Sequence, residues 1–206
     1  MYVSLKYRFL YYRIPKTAST AMALALKPYL TEFNKTLQDI NNHHLGDILH
    51  YTPTESLKTL HDLNFPISKN FNMLMVIRNP YTRIISLYNY AKDVLVERNI
   101  NSFDYFLDLL DARNKKDDLA LQLLNPRTYD SQLLWTHDPN TFNLNIIKYE
   151  ELNTTDVANC LGIPLLTIPK ENTNTIPSDQ YNIKSYQKDK IYAICEEEFD
   201  AYSYKK

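Results

Sequence analysis

Glycine is nearly missing from this chain. Of 206 residues only Gly46 and Gly162 are glycine. A Walker A phosphate loop and a dinucleotide-binding turn each need several glycines close together, because only glycine enters left-handed backbone freely. Both motifs are excluded, and with them a P-loop kinase of the usual pattern. Cysteine is as scarce. Cys160 and Cys195 are too few for a disulfide scaffold and lack zinc-ligand spacing, so they read as buried or idle thiols. An excess of one charge is missing as well: 23 basic and 24 acidic residues leave a net charge of −1. No global field draws in nucleic acid or an anionic membrane, and a polyanionic substrate would need a local basic patch. Residues 1–9 have charges breaking their apolar positions, which fits neither a signal peptide nor a membrane span.

What remains is enough for a core. Apolar residues make up 44% of the chain and aromatic residues 13%, at a length that suits one domain, residues 1–206. The aromatic-rich stretch 7–14 predicts a strand, as do the unbroken apolar run 71–77 and residues 144–149. Helices are predicted over 19–30, 53–63, 80–97, 102–110, 118–124, 155–161 and 187–199. Thr52-Pro53-Thr54-Glu55 has the signature of a helix start, and Gly162 marks a helix end. Residues 31–51 and 163–185 read as loops, and the charged segment 111–118 as an exposed turn. Strands alternating with helices predict an α/β fold with a parallel sheet covered on both faces.

Two segments carry chemistry. Ile14-Pro15-Lys16-Thr17-Ala18-Ser19-Thr20 follows the first predicted strand and opens a helix. Val76-Ile77-Arg78-Asn79-Pro80-Tyr81-Thr82-Arg83-Ile84-Ile85-Ser86-Leu87-Tyr88 does the same after the second. The first amides of a helix are unpaired and its dipole favours an anion there, so each segment reads as a phosphate cradle. Two cradles suit a ligand with two separated phosphate groups. Each segment taken singly also fits an ordinary capped turn bearing a solvated cation.

Together the segments resemble the nucleotide-binding loops of the sulfotransferases that use 3'-phosphoadenylyl sulfate (PAPS). Pro-Lys-Thr-Ala-Ser-Thr looks like the loop those enzymes wrap round the 5'-phosphosulfate, and is most similar to that of the uronyl 2-O-sulfotransferases acting on heparan sulfate. Arg78-Asn-Pro-x-x-Arg-x-x-Ser86-x-Tyr88 looks like their 3'-phosphate element. The resemblance implies a P-loop-like three-layer fold, a central parallel sheet flanked by helices. It implies PAPS as donor, adenosine 3',5'-bisphosphate as product, and no metal. Lys16, Thr17, Ala18, Ser19 and Thr20 would hold the 5'-phosphosulfate, with Lys16 also stabilising the leaving oxygen. Arg78 and Ser86 would hold the 3'-phosphate. Arg83 would touch phosphate or cap a surface face, the second being the plainer reading.

In the uronyl enzymes the catalytic histidine lies between the first helix and the second strand. His50, just before the Thr52 cap, fits best as general base, His44 next, and His43 stays open. His61 reads as mid-helix surface or core, and His137 as a turn residue or part of the acceptor site. Gln132 ahead of Leu133-Leu134-Trp135, and Tyr149-Glu150-Glu151-Leu152, look like further family segments. Glu150 reads either as a partner for a basic residue of the core or as a functional residue. Residues 172–180 resemble a loop closing over nucleotide or acceptor, and Lys170 and Lys184 are candidate anion contacts.

The expected activity is in-line sulfuryl transfer to a hydroxyl, with a carbohydrate as the leading acceptor class. A nucleotide-dependent phosphoryl transferase and a non-catalytic nucleotide or glycan binder are the alternatives. The animal glycosaminoglycan enzymes carry an N-terminal membrane helix, and this sequence shows none. A cytoplasmic protein of microbial or viral origin is therefore expected. Neither the acceptor nor the oligomeric state is readable.

Overall fold

The computed structural model describes residues 1–30, 50–124, 127–169 and 182–206. The expectations for His43, His44, Lys170 and residues 172–180 lie outside the described residues. Chain contacts divide the protein into two units. The first is Met1–Ile77 with Gln132–Asn172, the second Arg78–Ser131 with Thr173–Lys206.

The first unit holds a four-stranded sheet in the order β1-β2-β3-β4: Tyr2–Ser4, Phe9–Tyr12, Asn72–Ile77 and Leu144–Lys148. β2, β3 and β4 run parallel, with Tyr11 opposite Leu74 and Met75 opposite Ile146. β2 is buried throughout and β3 from its second residue on, as their unbroken apolar runs require. The mixed α/β class with a mostly parallel central sheet is the one expected. The three-residue β1 was not anticipated. It pairs antiparallel with β2 through a turn in which Arg8 has positive φ, and Tyr2 stacks on Tyr11. Pairing rather than propensity holds so short a strand.

Among the described residues the main helices of this unit are α1 (Ser19–Leu26), α2 (Pro53–Asp62) and, later in the chain, α7 (Thr154–Leu161). α1 ends before the predicted boundary, and residues 27–29 form a 3-10 turn around Pro28. α2 starts as the sequence predicts. The Thr52 hydroxyl accepts from the Glu55 amide and the Glu55 carboxylate accepts from the Thr52 amide. α7 stops at Gly162, which sits at φ 62. Phe9, Tyr11, Met22, Leu26, Leu74, Val76, Val157 and Leu161 form the core.

The second unit is helical: α3 (Pro80–Glu97), α4 (Phe103–Asn114), α5 (Asp118–Leu123) and α8 (Ser185–Ala201). α4 runs four residues past its predicted end. Its last turn is charged but still packs Ala112 against the core, next to the buried Leu109 and Leu110. Arg113 donates to the Leu124 carbonyl and Lys115 pairs with Asp111, so the charges support the helix instead of breaking it. α8 is longer than predicted at both ends and kinks at Cys195. Ile84, Leu87, Leu95, Phe106, Leu107, Ile191 and Phe199 anchor this unit's core. Between the helices of the second unit and β4, the first unit resumes with a four-residue helix, α6 (Leu133–Thr136), that the sequence reading left unassigned. Among the described residues no helix is long and apolar enough to cross a membrane.

Candidate active site

In the first unit the chain leaves β2 at Tyr12 and turns through residues 13–18 into α1. Lys16 and Ala18 both take positive φ, 66 and 61. Left-handed backbone costs a non-glycine residue roughly 1–2 kcal/mol, so the loop is held in that shape by its surroundings. Ile14 and Thr17 are fully buried, and the Thr17 hydroxyl donates to the Ile14 carbonyl at 2.9 Å. That hydroxyl closes the loop on itself. Ala18 occupies the N-cap of α1, where its methyl group cannot cap, and no side-chain hydrogen bond closes this helix start. The positive end of α1 therefore faces the turn that carries Lys16, with Ser19 buried and Thr20 half-buried beside it. The donor set fits an anion, and two left-handed non-glycine residues do what glycines do in a Walker loop.

His50 joins this loop. Its Nδ1 lies 2.6 Å from the carbonyl oxygen of Arg13. A carbonyl can only accept, so Nδ1 carries the hydrogen, and the basic lone pair of the neutral ring is on Nε2. The imidazole is thereby fixed to the backbone just ahead of Lys16. Of the other described histidines, His61 is exposed beside Asp62, and His137 is exposed with Nδ1 near the Thr136 hydroxyl. The Arg13 carbonyl escaped the sequence reading because a backbone acceptor leaves no mark in side-chain pattern.

In the second unit the other of the two sequence segments forms the start of α3. Asn79 is the N-cap and accepts from the Tyr81 amide, with Pro80 at the first helical position. Arg78 donates from Nε to the Thr82 hydroxyl at 3.0 Å, and Thr82 in turn donates to the Asn79 carbonyl. Thr82 and Ser86 stand four residues apart, hence on one face of α3. Ser86 is almost fully buried.

Arg83 departs from both roles foreseen for it. It is 2% exposed, donates to the Asp130 carbonyl at 2.8 Å, and lies 3.9 Å from Glu198. It ties α3 to α8 and the 127–130 turn inside the core, because its position falls between the buried faces of Pro80 and Leu87. Glu150 lies outside the core, exposed in a short turn after β4. Lys184 is exposed over the Tyr186 ring. Among the described residues no group of three or more His, Cys, Asp or Glu side chains could hold a metal ion.

A strand thus turns into a helix start without a side-chain cap, beside a lysine and a histidine anchored to the backbone. A family model described as the sulfotransferase family matches residues 1–205, and the chain belongs to that family. It is thus a transferase of the sulfuryl group. No curated protein and no solved structure matched.

Proposed function

We propose that the chain transfers the sulfuryl group of PAPS to a hydroxyl, with a carbohydrate as the acceptor class and His50 as the general base. The observation that carries this reading is the 2.6 Å bond from His50 Nδ1 to the Arg13 carbonyl. It supports the reading because it sets the His50 ring beside the root of the Lys16 loop with hydrogen on Nδ1 and the basic lone pair on Nε2.

In the step itself the acceptor hydroxyl gives its proton to Nε2 of His50 as its oxygen bonds to sulfur. The bond from sulfur to the 5'-phosphate oxygen breaks. Negative charge grows on that oxygen, and the Lys16 ammonium stabilises it more in the transition state than in the bound donor. The amides at the start of α1, with Ser19 and Thr20, hold the 5'-phosphate. Arg78 and Ser86 hold the 3'-phosphate, for which a guanidinium fork is well shaped. The 206-residue chain acts as one sulfotransferase domain in this reading.

Calorimetric titration with adenosine 3',5'-bisphosphate, against ATP and AMP, tests the donor. Wild type should prefer the bisphosphate, and Arg78→Ala should lose it. A preference for ATP with magnesium would replace the reading with phosphoryl transfer. An acceptor screen on PAPS with wild type and His50→Ala then tests the base, since removing a general base costs about 100- to 10,000-fold in rate.

A further inference from the structure

Trp135 and Asp138 take no part in the chemistry above, yet both grip the segment that carries His50. Trp135, on α6, is fully buried. Its indole N–H lies 3.2 Å from the carbonyl oxygen of His50 and 3.2 Å from that of Tyr51. Asp138 is 9% exposed. Its Oδ2 accepts from the Thr54 amide at 3.1 Å, and its Oδ1 accepts from the Thr54 hydroxyl at 2.8 Å. Oδ1 also accepts from the Asn140 amide, and the Asn140 side chain donates back to the Thr54 hydroxyl at 2.7 Å.

These bonds exceed what a helix start needs. Thr52 and Glu55 already form a complete capping box for α2. Capping leaves the backbone ahead of Thr52 unrestrained, and that is where Trp135 binds. A carboxylate at a helix N-terminus is favourable by itself, but Asp138 comes from a loop far along the chain and brings that loop with it. The segment 50–54 is thus clamped at both ends by residues 135–140.

We infer that Trp135 and Asp138 are positioning residues for His50. They hold its backbone so that Nδ1–H meets the Arg13 carbonyl and Nε2 presents the lone pair. The catalytic meaning of the clamp rests on His50 being the base; its structural content does not.

The test reads the tautomer directly. The full chain, labelled with ¹⁵N-histidine, is examined by long-range proton–nitrogen NMR at about pH 8.5, some two units above the ordinary imidazole pKa of ~6.5. His50→Gln assigns the signal. Wild type should show hydrogen on Nδ1, against the preference of free imidazole for Nε2. Trp135→Phe keeps the ring and removes the N–H; it should move His50 toward the free pattern while the other histidines and the circular dichroism stay unchanged. Thr54→Val, at an exposed position, weakens the Asp138 end and should shift the signal the same way even if Trp135→Phe fails to fold. An Nε2–H pattern in wild type, or an Nδ1–H pattern unchanged in the folded variants, overturns the inference. In the transfer assay Trp135→Phe should lower kcat about 10-fold or more with KM for PAPS within about twofold, as misplacement of a reacting group does. Full turnover in His50→Ala would sink the base reading separately, whatever the tautomer.

Discussion

Arg78 and Arg83 belong to one short motif and do opposite jobs. Arg78 is half-buried and donates to Thr82 at the start of α3; Arg83 is sealed in the core of the second unit between the Asp130 carbonyl and Glu198. Removing a buried cation orphans its partners, which costs about 3–5 kcal/mol. Arg83→Ala should therefore lower the unfolding free energy by that amount in urea titration. Arg78→Ala should stay within about 1 kcal/mol of wild type while losing bisphosphate binding. A stable Arg83→Ala protein would contradict the assignment. The sequence shows both arginines but not which one turns inward, since α3 carries apolar residues on both sides of Arg83. The lysine, the hydroxyl residues and His50 are candidates that the order of residue types along the chain can suggest. The partner of His50 was not, because a main-chain carbonyl is common to every residue.

At the scale of elements the punctuation was the most readable part. Thr52-Pro53-Thr54-Glu55 forms the capping box its spacing announces, Asn79-Pro80 opens α3, and Gly162 closes α7. Each signal is local, so no tertiary contact can hide it. Thr52→Ala should cost about 1 kcal/mol by loss of the cap, measured by chemical denaturation. Gly162→Ala should cost about 1–2 kcal/mol although no atom lies within 4 Å of the added methyl, because the penalty is in the backbone at φ 62 and not in space. A neutral Gly162→Ala would mean that the turn relaxes to another conformation. Elements that depend on distant partners escaped notice. β1 exists through its pairing with β2, and α6 through the burial of Trp135. The end of α4 differs from its predicted position because charge on an outward face is compatible with helix.

For the molecule as a whole, three buried acids set an alkaline limit. Burial pushes the Tyr11 and Tyr12 hydroxyls far above 10.0, with the Asp138 carboxylate adding to the rise at Tyr12, and it pushes the Cys195 thiol far above 9.0. Below about pH 9 folded and unfolded chains hold these protons alike. Above it the unfolded chain releases the thiol proton, and from about pH 10 the tyrosine protons, while the folded chain keeps them, so stability falls by up to roughly 1.4 kcal/mol per pH unit for each group once its unfolded value is passed. The thermal midpoint should drop steadily between about pH 9 and pH 11, and Tyr12→Phe should make the drop shallower. A midpoint that stays level to pH 11 would refute this. Both units feel the limit, since the tyrosines belong to the first and the cysteine to the second. Neither unit is built from one continuous stretch of chain, and that division bears on how the protein is made. When β3 has left the ribosome its parallel neighbour β4, at Leu144–Lys148, has not yet been synthesised, and α8 of the second unit comes later still. At about 5–20 residues per second the apolar edge of β3 waits for several seconds without its partner. During that interval the nascent chain presents a ready surface for aggregation or for a chaperone, so the yield of active enzyme should depend on translation speed across the segment between those two strands.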